Sequence, residues 1–168
     1  ARLVVGDRDP ECLVAESARM RAVKKKIERC STVNTPVLVT GEMGAGKTLV
    51  ARLIHDASER TSGPLIAVNC PDLTPGHAGE LIFGEDLGGR LSKVSHGSGG
   101  IHLAHGGTLV LRGADALDPG VQQLIESHIL SERSKIQSSF PDTRIILTAG
   151  AAVGNGEGQR SLVPSLVD

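Results

Sequence analysis

Aromatic side chains are almost missing: there is no tryptophan and no tyrosine, and Phe83 and Phe140 are the two phenylalanines. That scarcity argues against stacking platforms for bases or sugars. Cysteine is scarce as well. Cys12, Cys30 and Cys70 are an odd, widely spread set with neither disulfide nor metal spacing. They read as small buried residues carrying reduced thiols, in keeping with a cytoplasmic protein. No uncharged apolar run approaches the roughly 20 residues a bilayer crossing needs, so no membrane span is expected. Nor does a charged-then-apolar leader open the chain, so no secretory signal is expected. Charge of one sign is not in excess. The 18 Lys+Arg against 19 Asp+Glu leave a net charge of −1, which argues against direct nucleic-acid binding by this domain.

What remains suits one ordinary domain: 168 residues, 39% of them apolar, with room for a single core. The first residue is Ala1 rather than Met, which reads as a domain of a longer protein. Met20, Val23, Ile27 and Cys30 recur at three- and four-residue steps after Ser17, predicting an N-capped amphipathic helix over 17–30. Val37, Leu38 and Val39 predict a buried strand. Leu49, Val50, Leu53, Ile54 and Ala57 then mark the apolar face of a second helix. Further strands are predicted at 65–68, 109–111 and 145–147, with a helix opened by Asp118 and Pro119. Residues 71–107 read as loop-rich. Apolar strands alternating with amphipathic helices predict an α/β fold, a parallel sheet flanked by helices on both faces.

Between the first strand and the second helix lies GEMGAGKT at 41–48, a match to G-x-x-x-x-G-K-[ST] in the strand–turn–helix setting that motif requires. Its glycines let the backbone turn tightly and present N–H groups to phosphate oxygens. The helix that follows aims its positive end at the same anion. Lys47 reaches for the β- and γ-phosphates and Thr48 is the candidate Mg²⁺ ligand. These residues predict ATP or ADP as cofactor, held by Gly41, Gly44, Ala45, Gly46, Lys47 and Thr48.

The words around that loop resemble the central AAA+ domain of bacterial enhancer-binding proteins, the sigma-54-dependent transcription activators. Residues 14–20, VAESARM, are similar to that family's V-G-E-S-P-x-M, and 41–55, GEMGAGKTLVARLIH, to G-E-S-G-T-G-K-E-L-V-A-R-x-I-H. PLIAVNCPDL at 64–73 is similar to P-F-V-A-V-N-C-A-A-L. Phe83-Gly84 stands at its L-F-G, and residues 106–109 at its G-G-T-L. The resemblance runs from about Val14 to about Ala149. It implies a P-loop NTPase of AAA+ type whose helical lid would begin where this sequence stops. Residues 1–13 are then a linker from a preceding domain, and 14–168 the nucleotide-binding subdomain. The resemblance adds Val14, Leu49 and the switch residue Asn69 to the nucleotide site. It also implies self-association into rings, and sensor and DNA-binding domains elsewhere in the regulator as partners.

Several working parts of that family are altered here. Its Asp-Glu pair after the third predicted strand is replaced by Arg112 and Gly113. Mg²⁺ wants hard oxygen ligands and the attacking water wants a base, and neither residue supplies one. Its G-A-F-T-G-A loop, which grips the sigma factor, is replaced by Gly88, Gly89, Arg90, Leu91, Ser92 and Lys93, so sigma-54 remodelling is not expected. Gly150 stands where a sensor asparagine follows Ala-Thr, and Val163 where a loose alignment puts an arginine finger. The expectation is a nucleotide-binding module that hydrolyses very slowly or not at all, with Mg²⁺ binding weakened by Arg112, whose side chain either faces the phosphates or turns outward to solvent. Two alternatives stay open: a weak ATPase using Asp115 as substitute carboxylate, and a nucleotide-free assembly scaffold. His96, His102 and His105 complete no zinc set, and Lys24, Lys25 and Lys26 read as a solvated helix face.

Overall fold

The structure is a computed structural model that describes residues 4–5, 17–74, 76–84, 99–134 and 141–150. Strand β1 is Val4–Val5, followed by helix α1 (Ala18–Ser31), β2 (Val37–Thr40), α2 (Lys47–Asp56) and β3 (Leu65–Asn69). Then come α3 (Ala78–Phe83), α4 (Gly100–Leu103), β4 (Thr108–Arg112), α5 (Pro119–Ser134) and β5 (Arg144–Ala149). The sheet order is β1-β3-β4-β5-β2. The four strands β2 to β5 pair in parallel, and β1 joins the edge antiparallel to β3. Two residues of the segment expected to be a linker, Val4 and Val5, thus contribute an edge strand.

Local chemistry sets the boundaries. The Ser17 hydroxyl accepts the Met20 N–H at 3.2 Å and starts α1. The Asp118 carboxylate accepts the Gly120 and Val121 N–H groups and starts α5. Lys24, Lys25 and Lys26 are all exposed, as a solvated face requires. Within 71–107, read as loop-rich, the structure adds the short helices α3 and α4. Both are a turn or two long, and their Ile82, Phe83 and Ile101 are buried by tertiary packing, which short helices need because nucleation is costly.

Alternation along the central strands divides the core between two faces. Leu109, Leu111, Ile145 and Leu147 turn toward α3, α4 and α5, whereas Val110 and Ile146 turn toward α1 and α2. At the start of β4 the Pro64 carbonyl accepts the Thr108 N–H at 2.9 Å, and a Cβ at Gly107 would lie 2.0 Å from that oxygen. Backbones this close admit only glycine. The Thr108 hydroxyl also lies 2.9 Å from Nδ1 of buried His55, so the end of α2 is tied to the start of β4. No helix among the described residues is long and apolar enough to cross a membrane.

Cys70, which follows β3, is 2% exposed, and its thiol is pushed up to about 12, first by burial and then by the negative charge of Asp115. Below pH 9 the folded and unfolded chains both keep this proton, so its contribution to stability is complete. Above pH 9 the unfolded thiol ionises while the folded one does not, and stability falls as pH climbs toward 12. The chain has no tyrosine to add to that slope. Urea unfolding at pH 8, 9.5 and 10.5 is expected to show a steeper alkaline loss for the natural chain than for Cys70→Ala.

Candidate functional site

The loop 41–46 leaves the carboxyl end of β2 and turns into α2, the position at which parallel sheets bind their ligands. Gly44 and Gly46 sit in left-handed backbone at φ 79° and 78°, with open space where a Cβ would be. Gly41 is different: it needs no unusual backbone, and a Cβ there would make only ordinary contact with Ala45 at 3.5 Å. Gly46 caps α2 without any side-chain hydrogen bond to the first turn. The opening N–H groups of α2, at Lys47, Thr48 and Leu49, lack intrahelical acceptors, and they face outward with the positive end of the helix dipole. Lys47 Nζ donates to the Gly41 and Glu42 carbonyls at 2.8 and 2.7 Å, which folds the ammonium over the loop.

Across the loop lies a cleft of about 450 Å³ lined by Met43, Gly44, Ala45, Gly46, Lys47 and Thr48, and on its far side by Asn69, Arg112, Gly113 and Thr148. Parallel register explains the far wall. Asn69 pairs with Arg112, and Arg112 with Thr148, so the three stand in one row at the carboxyl ends of β3, β4 and β5. Each lies two residues beyond an α2-facing position: Ala67, Val110 and Ile146. Arg112 is therefore on the face of the sheet that carries the loop, half-buried, with no ion pair to it among the described residues. The Thr148 hydroxyl accepts the Gly113 N–H at 3.1 Å.

The structure brings together the predicted residues Gly44, Ala45, Gly46, Lys47, Thr48, Asn69 and Arg112. Gly41 and Leu49 do not line that cleft: the Gly41 carbonyl accepts from Lys47 Nζ, and Leu49 stands in the first turn of α2. Val14 lies outside the described residues, as do the 88–93 loop, Val163, Cys12 and His96. Asp115 is placed elsewhere: in the turn after Gly113 its carboxylate accepts the Gly150 N–H at 3.2 Å, and it does not line the cleft. Among the described residues no group of three His, Cys, Asp or Glu side chains is arranged to hold a metal. Thr148 was missed by sequence reasoning. Its signal was the alternation that makes residue 148, two beyond the buried Ile146, share Arg112's face.

The family model for the sigma-54 interaction domain matches residues 13–146. The chain belongs to that family. Among its relatives is the C4-dicarboxylate transport transcriptional regulatory protein DctD of Pseudomonas aeruginosa, 31% identical over 138 residues, which covers 80% of this chain and 30% of DctD. The crystal structure of NtrX from Brucella abortus in complex with ATP superposes with a TM-score of 0.70 at 29% identity, covering 90% of this chain and 34% of NtrX. The P-loop NTPase domain of an Escherichia coli sigma-54 transport activator, at 21% identity and a TM-score of 0.53, shares the fold. The chain spans about 30% or less of the curated relatives it matches. Its four parallel strands and flanking helices are the α/β fold of an AAA+ sigma-54 interaction domain, the nucleotide-binding module of transcription regulators.

The cleft fits the two ligands implied by that family unequally. Unsatisfied amides, two positive-φ glycines and two cationic side chains suit a phosphate chain. A Mg²⁺ ion needs several oxygen ligands, usually including a carboxylate. Here the described lining residues offer the Thr48 hydroxyl, the Asn69 amide oxygen and a Thr148 hydroxyl already accepting a hydrogen bond, and no Asp or Glu among them. These residues do not fit the metal.

The backbone also disfavours a carboxylate at residue 113. Gly113 has φ +66°, and a Cβ there would lie 3.0 Å from the Pro71 ring. A left-handed non-glycine residue costs roughly 1–2 kcal/mol. Gly113→Glu is expected to lower unfolding stability by at least about that amount, read from the midpoint of urea denaturation.

Proposed function

We propose that this domain is the nucleotide-binding module of a sigma-54-type transcription regulator, one that holds ATP or ADP and hydrolyses it very slowly or not at all. The observation that carries the reading is the composition of the cleft wall. The cradle of glycines, α2 amides and Lys47 faces Arg112 and Gly113, with no carboxylate among the described lining residues. Hydrolysis needs a base to take a proton from the attacking water, and such a base commonly contributes about 10²–10⁴-fold. Arginine cannot accept that proton and glycine carries no side chain. NtrX, whose structures have been solved with ATP and with ADP, lends its ligands to the reading through the shared fold.

The output of such a module is a conformational or assembly state read by other domains of the same regulator or by further copies. Engagement of sigma-54 through residues 88–93 is not part of the reading, because Arg90 and Lys93 stand in a segment without the aromatic and threonine the family uses there. Asp115 is not the substitute base in this reading, since its carboxylate serves the Gly150 N–H.

Isothermal titration with ATP tests binding, and phosphate release tests hydrolysis. The expected outcome is a measurable affinity that weakens at least about tenfold in Lys47→Ala, a loss of about 1.4 kcal/mol. Turnover is expected about a hundredfold or more below the roughly 1–10 per second common among enzymes. No heat of binding would leave the scaffold reading standing, whereas brisk release abolished by Lys47→Ala would make the domain an ATPase.

A further inference from the structure

We propose that nucleotide binding at this site is independent of divalent metal, with the Arg112 guanidinium taking the phosphate oxygens that a cation would otherwise hold. The inference rests on the nucleotide-binding reading above and concerns the ionic form of the ligand.

Three observations converge on it. Arg112 and Lys47 line one cleft from opposite walls, the first at the end of β4 and the second at the start of α2. A phosphate chain lying on the α2 amides therefore has a cation on each side. Next, the guanidinium is unclaimed, because no ion pair or hydrogen bond holds it among the described residues and the row that flanks it, Asn69 and Thr148, is neutral. Its planar fork of N–H donors matches two phosphate oxygens at once. Finally, oxygen ligands for a cation are few, as the described lining residues include no carboxylate and the Thr148 hydroxyl is engaged by the Gly113 N–H.

Charge arithmetic gives the direction. Two positive side chains beside the cleft attract a free nucleotide polyanion more than its Mg²⁺ complex, whose charge is less negative by two. They also repel the metal itself. Addition of Mg²⁺ is therefore expected to leave affinity unchanged or to weaken it. Residue 113 offers no way round this, since its left-handed backbone disfavours a side chain that could restore a ligand.

The test is ATP titration of the natural chain, Arg112→Asp and Arg112→Gln, each in excess EDTA and in excess Mg²⁺, with thermal melts confirming that all three fold. In the natural chain the two conditions are expected to agree within about twofold, or to favour EDTA. Arg112→Gln is expected to bind at least tenfold more weakly in EDTA. Arg112→Asp is expected to lose binding in EDTA and regain part of it with Mg²⁺. Binding by the natural chain that is tenfold weaker in EDTA than in Mg²⁺ would overturn metal independence while leaving nucleotide binding intact. Equal Mg²⁺ dependence in the natural chain and Arg112→Asp would overturn the role of Arg112. Absence of binding under either condition would overturn both this inference and the reading beneath it.

Discussion

The first turn of α2 carries N–H groups that no carbonyl of the helix can satisfy, and the loop before it is shaped so that no side chain satisfies them either. That unmet hydrogen-bonding capacity, concentrated at one helix end and sharpened by Lys47, is the constraint from which the rest of the structure follows. Left-handed Gly44 and Gly46 keep the space above the amides open. The parallel sheet holds α2 in position through Ala51, Ile54, Val110 and Ile146, a core that tolerates little displacement because it is close-packed. An anion is the natural complement of such an end, and the surrounding residues decide which anion and in what company.

Here the company is cationic. In a phosphate-transferring site of this fold, carboxylates opposite the cradle offset its positive charge by retaining a metal and by taking up a proton. With Arg112 in that row, the described lining of the cleft carries two positive side chains and no carboxylate, and the proposed retention of a polyanion rests on that arrangement. The backbone agrees with the side chains. After Arg112 the chain turns sharply at left-handed Gly113, close against Pro71, and the nearest acid, Asp115, is drawn to the Gly150 amide on the other side of the turn. The same carboxylate raises the Cys70 thiol, which belongs to the opposite half of the core. The turn geometry thus keeps the Asp115 carboxylate out of the cleft.

Much of this was legible in the sequence because the signals are local and physical. The loop at 41–48, the strand before it and the helix after it follow from spacing alone, and Ser17 and Asp118 announce their helices by capping chemistry. Arg112 was legible through family resemblance, but its direction was not, since a strand-end arginine can point to solvent. Strand register resolved that, by setting Asn69, Arg112 and Thr148 side by side. The short helices α3 and α4 were illegible because they carry too few residues for a periodic pattern and owe their existence to buried contacts of Ile82, Phe83 and Ile101. Thr148 was overlooked for a related reason. A threonine at a strand end carries no motif, and its role in the cleft depends on a partner 35 residues away, the Gly113 amide. The edge strand at Val4–Val5 is likewise a matter of pairing with β3, which two valines cannot declare by themselves.

In the proposed arrangement a phosphate chain lies between the α2 amides and the Arg112 guanidinium. The most direct measurement is a crystal structure of the chain grown with ATP and Mg²⁺. Phosphate oxygens within hydrogen-bonding distance of both the loop amides and Arg112, with no metal on Thr48, is the predicted result. A metal ion bridging Thr48 and the phosphates with Arg112 turned to solvent, or a loop left bare at saturating nucleotide, would contradict it.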